Sequence, residues 1–463
     1  MMVKLALHGG TPVRMPEQPL EAAWPEVTEE DLAAIQRVVG SGEFVGIHNP
    51  EVEALEQEYT QAVGARYALA LGSGTASLHA AVAAAGCKPA DEVIVPALTF
   101  LASASAVLHH MAIPVFADID RRTFNLDPVS VEAKLSPRTR AIMAVDLHGL
   151  PADYRQLSEI AKRHGLVLIA DAAHAMGASY QGKAVGSLAD ITGTSLMPGK
   201  QLPTCGEGGI FSTDQVDYLN RASMVRMFGE VVRKDQPRAY NAYTLGWNYR
   251  MNPIQAAFAR SQLRRLPANA ARFAENGAYL AAGMRELYGL IPPYVPADRT
   301  HVYHMFRLGF DPQAAGLDLT IGRFAQAVEE AMAAEGLPLR FYQNTPVPGQ
   351  TMFRLKEGFG NGVPWSLPGA RPINYDIEEF PVTLEVLEGT RCIGRSGSSG
   401  PNYFGSRQTM DLYLEGFRKL WEHLPEIEAH GQQLDYQAPW ASPAPSTRGA
   451  WTVLTPSPGT DQA

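Results

Sequence analysis

Up to about residue 215 the chain alternates short apolar runs with segments of helical length. The runs fall at 67–71, 92–96, 113–117, 141–145, 167–170, 191–195 and 209–212, rich in Val, Ile and Ala. Apolar residues dominate most of them, as in strands buried on both faces. The segments between them, such as 76–85 and 153–164, are long enough for helices. The pattern predicts an α/β fold: a mostly parallel seven-stranded sheet flanked by helices. Ligands of such sheets sit beyond the carboxyl ends of the strands. Ahead of the sheet, 27–39 (V-T-E-E-D-L-A-A-I-Q-R-V-V) combines a Thr cap, early acids and apolar spacing of three and four, which predicts a helix. Residues 50–63 read as a second amphipathic helix, and 253–284 as a long helical stretch broken near Pro267. The organisation expected is an arm over 1–27, a large domain over 28–265, a smaller C-terminal α/β domain over 266–435, and a tail over 436–463. The tail is rich in Pro, Ser, Thr and Gly and is expected to be disordered. No internal repeat is visible.

A length of 463 residues suits two domains. With 46% apolar and 19% charged residues, the composition is that of a soluble globular protein. The net charge of -9 argues against nucleic acid as a partner, yet leaves room for a small anionic ligand in a local pocket. Cys87, Cys205 and Cys392 are far apart, so neither a disulfide framework nor a metal site is expected, and a reduced compartment fits. The first residues lack an apolar signal segment, and no apolar run is long enough to span a membrane. The expectation is a cytoplasmic protein without membrane contact.

Three segments carry chemistry. L-G-S-G-T-A-S-L, 71–78, is a strand end, a small-residue turn and a helix start. Gly72 and Gly74 allow close backbone approach, Ser73 and Thr75 add hydroxyls, and the free N–H groups of the helix start favour a phosphate. Alone, it would read first as a capped helix after a tight turn. L-V-L-I-A-D-A-A-H-A-M-G-A, 166–178, puts Asp171 at the end of a buried strand, where a carboxylate needs a partner. A protonated pyridine nitrogen is such a partner, and His174 could face the same pocket; a helix cap and a core histidine are the plainer roles. T-S-L-M-P-G-K-Q-L-P-T-C-G-E-G-G, 194–209, holds Lys200 among apolar and small residues after a strand. There its pKa should fall and its amine act as a nucleophile, whereas alone it would pass for a surface lysine. Ser195 is placed to bind phosphate.

Taken in order, these segments resemble the DegT/DnrJ/StrS family of pyridoxal-phosphate-dependent aminotransferases of fold type I. The family's phosphate turn S-G-T-x-A-L corresponds to Ser73–Leu78 and its D-A-A-x-A-x-G-A to Asp171–Ala178. Its S-F-x-P-x-K-x-x-x-x-G-E-G-G corresponds to Ser195–Gly209. P-A-L-T-F, 96–100, matches P-x-x-T-[FYW], and L-G-W-N-Y-R-M, 245–251, matches G-x-N-x-R-M. The similarity continues weakly from residue 8 to about residue 430. The resemblance implies pyridoxal 5′-phosphate bound through Lys200 as a Schiff base, with Asp171 on the ring nitrogen and Phe100 over the ring. Ser73, Gly74, Thr75 and Ser195 would hold the phosphate, and His174 would line the site. It also implies a homodimer with shared sites, in which Asn248 reaches the phosphate of the neighbouring subunit's cofactor.

The reaction implied is amino transfer from L-glutamate or L-glutamine to a keto group of a sugar or cyclitol. Arg226, Arg250, Tyr303, His304, Arg395 and Tyr403 are candidate substrate contacts. Family members that deoxygenate sugars carry His at the position of Lys200, which speaks against that chemistry. A dehydrating synthase of an aminated aromatic and a non-catalytic regulatory homologue are the alternatives. The chain departs from the family at Asp146–Gly149 (D-L-H-G), Leu196, Met197 and 392–405, which is where the acceptor is expected.

Overall fold

The computed structural model describes residues 4–15, 17–20, 23–394 and 401–441. All seven expected strands form, within two residues of the expected ends: β1 (Tyr67–Leu71), β2 (Glu92–Pro96), β3 (Ile113–Ala117), β4 (Thr139–Val145), β5 (Val167–Asp171), β6 (Ile191–Ser195) and β7 (Gly209–Thr213). They make one sheet in the order β1-β7-β6-β5-β4-β2-β3. Only β7 runs against the others, pairing antiparallel with both β1 and β6. The reason is local: no helix separates β6 from β7, so the chain returns at the edge where β6 ends. That return loop contains Lys200.

Helices cover both faces. The helix Glu29–Ser41 starts at Thr28, whose N–H donates to Asp31 Oδ2 at 2.7 Å. The helix Pro50–Val63 is capped by Asn49, which accepts from the Glu51 N–H at 3.0 Å. The expected break at Pro267 is absent: Pro253–Met284 is one helix. Its first half packs Ala259, Leu263, Leu266 and Ala270 against the large sheet, and its second half packs Phe273, Leu280 and Met284 into the second core. Burial on both sides of Pro267 outweighs the roughly 3 kcal/mol that an internal proline costs a helix.

The second core surrounds a four-stranded antiparallel sheet. Its strands are β8 (Leu290–Ile291), β9 (Arg307–Phe310), β10 (Leu339–Arg340) and β11 (Thr390–Ile393), in the order β8-β9-β11-β10. The 345–380 stretch leaves this unit and returns to the large one. Phe353, Tyr375 and Phe380 ring Phe116 of the edge strand β3 at centroid distances of 5.1, 5.5 and 6.5 Å. The Tyr375 hydroxyl donates to the Pro114 carbonyl at 2.7 Å, so a sheet edge is covered rather than left open. Of the tail, 442–463 lies outside the described residues, and Trp440 packs beside Leu98, Val145 and Leu387.

The N-terminal arm is anchored. Leu5 and Leu20 are buried in the second core. The carboxylate of Glu335, fully buried, accepts from the Ala6 N–H (2.8 Å), the Val13 N–H (3.0 Å) and Lys419 Nζ (2.7 Å). Glu335→Ala should therefore strip a buried cation and two amides of their partner and lower unfolding stability by about 3–5 kcal/mol. Denaturant unfolding measures this; a loss below about 1 kcal/mol would show that the arm is not held by this residue.

Candidate active site

The strand ends of β1, β5 and β6 lie at one edge of the sheet, and the three segments singled out in the sequence meet there. The turn after β1 leads into the helix Gly74–Ala84, whose cap Ser73 accepts from the Ala76 N–H at 3.1 Å. The first N–H groups of the helix stay free of intrahelical partners. This turn lies directly against the end of β6. A Cβ on Gly74 would come within 2.6 Å of Ser195 Cβ, and one on Gly209 would collide with the Ser73 carbonyl. Two glycines thus let Ser73, Gly74, Thr75 and Ser195 share one small volume.

These four residues line a cavity of about 330 Å³ together with Phe100, Asp171, His174, Lys200, Glu207, His304 and Tyr342. Asp171 closes β5. Its Oδ2 accepts from Ser103 Oγ at 2.7 Å and its Oδ1 from the Ala173 N–H at 3.2 Å. Burial raises its pKa, while those two donors and the charge of Lys200 act against the rise. Lys200 experiences the opposite effect. Burial lowers its pKa to about 8, with Asp171 and Glu207 opposing. Trp24 Nε1 donates to the Lys200 carbonyl at 3.0 Å, tying the arm to the lysine loop.

His174 and His304 stack at 4.0 Å between ring centroids. Burial holds both well below the ordinary histidine range, so both are neutral. In the amide orientation that suits its surroundings, Gln201 donates to His304 Nδ1 at 3.1 Å and accepts from the His304 N–H at 3.0 Å. The His304 proton then sits on Nε2, a buried donor without a partner among the described residues. Phe100 stands at the mouth, 58% exposed.

Several expected contacts lie elsewhere. Asn248 is exposed and does not line this cavity; it bridges to Met227 on the outer face. Arg226 and Arg250 line a separate cavity with His48 and Glu56, where Arg226 pairs with Glu56 at 2.6 Å. Tyr303 is stacked on His301 at 4.0 Å inside the second core, and Tyr403 is buried in that same core, so apolar packing claims both. Arg395 lies outside the described residues. Of the departures from the family, Met197 lines the cavity, whereas Leu196, Asp146 and His148 are buried behind it. Burial lifts the Asp146 carboxyl to about 7, and it is engaged by the Ala152 N–H and the Tyr154 hydroxyl.

Two functional neighbours escaped the sequence reading. Ser103 gives no motif signal beyond its position four residues after Thr99, to which its hydroxyl is hydrogen-bonded at 2.8 Å. Tyr342 lies two residues past β10 of the small sheet, and only the tertiary fold brings it to the cavity.

The sequence profile of the DegT/DnrJ/EryC1/StrS aminotransferase family matches residues 25–381. GDP-perosamine synthase of Caulobacter vibrioides is 41% identical over 257 residues, covering 55% of this chain and 68% of that protein. A putative L-glutamine:3-amino-2,3-dideoxy-scyllo-inosose aminotransferase of Streptomyces kanamyceticus is 36% identical over 348 residues, covering 73% and 79%. Among solved structures, S. venezuelae DesV in complex with a ketimine intermediate superposes with a TM-score of 0.73 at 29% identity, over 89% of this chain and 99% of that one.

The lysine environment has a measurable consequence. In cofactor-free protein, competitive acylation of Lys200 should rise with pH and level off above about pH 8, because only the neutral amine reacts. Peptide mass spectrometry across the titration reads this directly. A plateau reached only above about pH 10, as for an ordinary lysine, would contradict the desolvated site.

Proposed function

The chain belongs to the DegT/DnrJ/EryC1/StrS aminotransferase family, and on that premise we propose that it transfers the amino group of L-glutamate or L-glutamine to a keto group of a sugar or cyclitol. It is a pyridoxal-phosphate-dependent aminotransferase of fold type I. The pathway class is amino-sugar or secondary-metabolite biosynthesis. The single observation that carries the residue assignment is the buried pair of Asp171 and Lys200 in one cavity with the Ser73–Ser195 cradle.

The residues present fit the cofactor. A buried carboxylate with one donor on each oxygen retains lone pairs for a ring N–H. The helix start and two serine hydroxyls suit a phosphate dianion. When bound, pyridoxal phosphate supplies an aldehyde that exchanges amines and a ring that accepts electrons. Lys200 would hold it covalently, and its amine, with a pKa near 8, can take up and return a proton near neutral pH. Asp171 would keep a positive charge on the ring nitrogen. Phe100 would cover one ring face, and the neutral His174 would line the pocket without adding a charge.

A homodimer with shared sites also belongs to this reading. Asn248 faces outward, in a segment that exposes Tyr240, Tyr243 and Leu245. The neighbouring 44–46 turn exposes Phe44 and Val45. Such exposed apolar surface suits a self-complementary interface. A partner's Asn248 could then add a donor to the phosphate.

The activity is tested by offering L-glutamate and L-glutamine to the holoenzyme and following conversion to the pyridoxamine form by absorbance. Amino sugars and aminocyclitols, offered in the same way, identify the acceptor class in reverse. Conversion by none of these amines would refute the proposal. Lys200→Ala should abolish turnover in a folded protein, and Asp171→Asn should cost at least about a hundredfold in rate, the scale of losing a preorganised charge partner. Mixing Lys200→Ala with Asn248→Asp chains should restore up to about half of wild-type activity per heterodimer, since one site collects both lesions. Heterodimers without activity would place Asn248 outside its neighbour's site.

A further inference from the structure

Two arginines of the small sheet are buried without a carboxylate. Arg307 of β9 and Arg340 of β10 are each register partners of Cys392 on the central strand β11. Residues directly opposite in an antiparallel sheet project to the same face, so Arg307, Cys392 and Arg340 form one row across three strands. Arg307 is 3% exposed and Arg340 9%. No ion pair involves either among the described residues, and the Nε of each is buried without a hydrogen-bond partner. Arg307 spends its terminal nitrogens on neutral groups, Thr390 Oγ1 at 3.0 Å and Gln343 Oε1 at 3.3 Å. The Arg340 guanidinium makes no hydrogen bond among the described residues. By contrast Arg391, whose residue alternates to the other face, is engaged by Glu329.

The row adjoins the cofactor cavity. Arg340 lies 5.9 Å from the ring centre of Tyr342, a cavity-lining residue whose ring is 6.2 Å from that of His174. Arg307 reaches the cavity wall through Gln343, whose Nε2 donates to the carbonyl of the cavity-lining Thr99 at 2.6 Å. His148 stands 5.9 Å from Tyr342 between ring centres, with both ring nitrogens buried and unpartnered among the described residues. A buried guanidinium is costly unless an anion meets it. The fixed fork of an arginine suits a carboxylate above other small groups.

We propose that the Arg307–Cys392–Arg340 row is the subsite for the carboxylate of the amino donor, an inference that rests on the aminotransferase reading above. An amino acid presents its carboxylate one carbon from the reacting amine. The row lies behind Tyr342, next to the cavity that holds Lys200. It is too enclosed for a nucleotide diphosphate, and a sugar or cyclitol ring without an acidic group has no need of it. The same cavity therefore discriminates its two amine partners by charge: the donor meets the arginines and the product does not.

The test uses holoenzyme and glutarate, a dicarboxylate that lacks an amine and cannot react. Calorimetry should show glutarate binding to wild type and a loss of about tenfold to a hundredfold in Arg340→Gln, with Arg340→Lys intermediate. In the absorbance assay the KM for the amino acid donor should rise by a similar factor, with little change in the rate at saturation. The ratio of donor to aminocyclitol kcat/KM should fall at least about tenfold. Arg307→Gln repeats the measurement should Arg340→Gln not fold. Undiminished glutarate binding in a folded variant overturns the proposal, as does an equal loss toward donor and aminocyclitol, or a loss confined to the sugar half. Wild type that turns over amines yet ignores glutarate sinks the subsite alone. Wild type that binds glutarate through these arginines and converts no amine sinks the aminotransferase reading and leaves an anion site.

Discussion

At the carboxyl edge of the large sheet, the turn after β1 and the end of β6 touch through glycines. Gly74 leaves no atom that would strike Ser195, and Gly209 none that would strike the Ser73 carbonyl. This contact is possible because β7, running in reverse, starts at the edge where β1 and β6 finish, with Gly209 paired to both Leu71 and Ser195. The loop joining β6 to β7 must therefore remain at that edge, and Lys200 comes to stand near the end of the adjacent strand β5, where Asp171 lies. The phosphate-type cradle, the lysine and the carboxylate are consequences of one topological reversal and two missing side chains.

Burial then divides the charges. Desolvation disfavours the charged form of every ionisable group, so it pushes the carboxyl of Asp171 up and the amine of Lys200 down. Each opposes the shift of the other, which leaves the lysine titrating near the operating pH of most enzymes. The histidines have no such support. His148, His174 and His304 are all driven well below their ordinary range, so none supplies positive charge to a ligand. Positive charge in and around this cavity therefore comes from the lysine and from the arginines behind Tyr342, not from histidine.

The strands were readable because most are short, largely apolar runs, and the cofactor-side residues because their loops follow those runs directly. Ser73, Asp171, Ser195 and Lys200 are each within five residues of a strand end, so local pattern sufficed to bring them to one edge. The misreadings have a common origin in long-range packing. Pro267 predicts a break that tertiary burial overrides, and 345–380 follows the second domain in sequence but packs on the first. Tyr303 and Tyr403 look like polar contacts until the second core is seen to enclose them. Tyr342 and the arginine row had no signal at all, since β10 is two residues long and its partner strand lies some fifty residues away in the chain.

This contrast follows from how the two halves of the cavity are built. The cofactor side is made of sheet ends and helix starts, where a change of one small residue would disturb backbone contacts that the whole edge shares. On the opposite wall stands Tyr342, just past the two-residue strand β10, and behind it lie Arg307 and Arg340 of the small antiparallel sheet. Local motifs therefore record the cofactor half, whereas Tyr342 and the arginines behind it are brought to the cavity only by the tertiary fold. The departures at Leu196, Asp146 and His148 fit the same division: buried behind the cavity rather than within it, they bear on the packing beneath the wall, while Met197 faces the cavity itself.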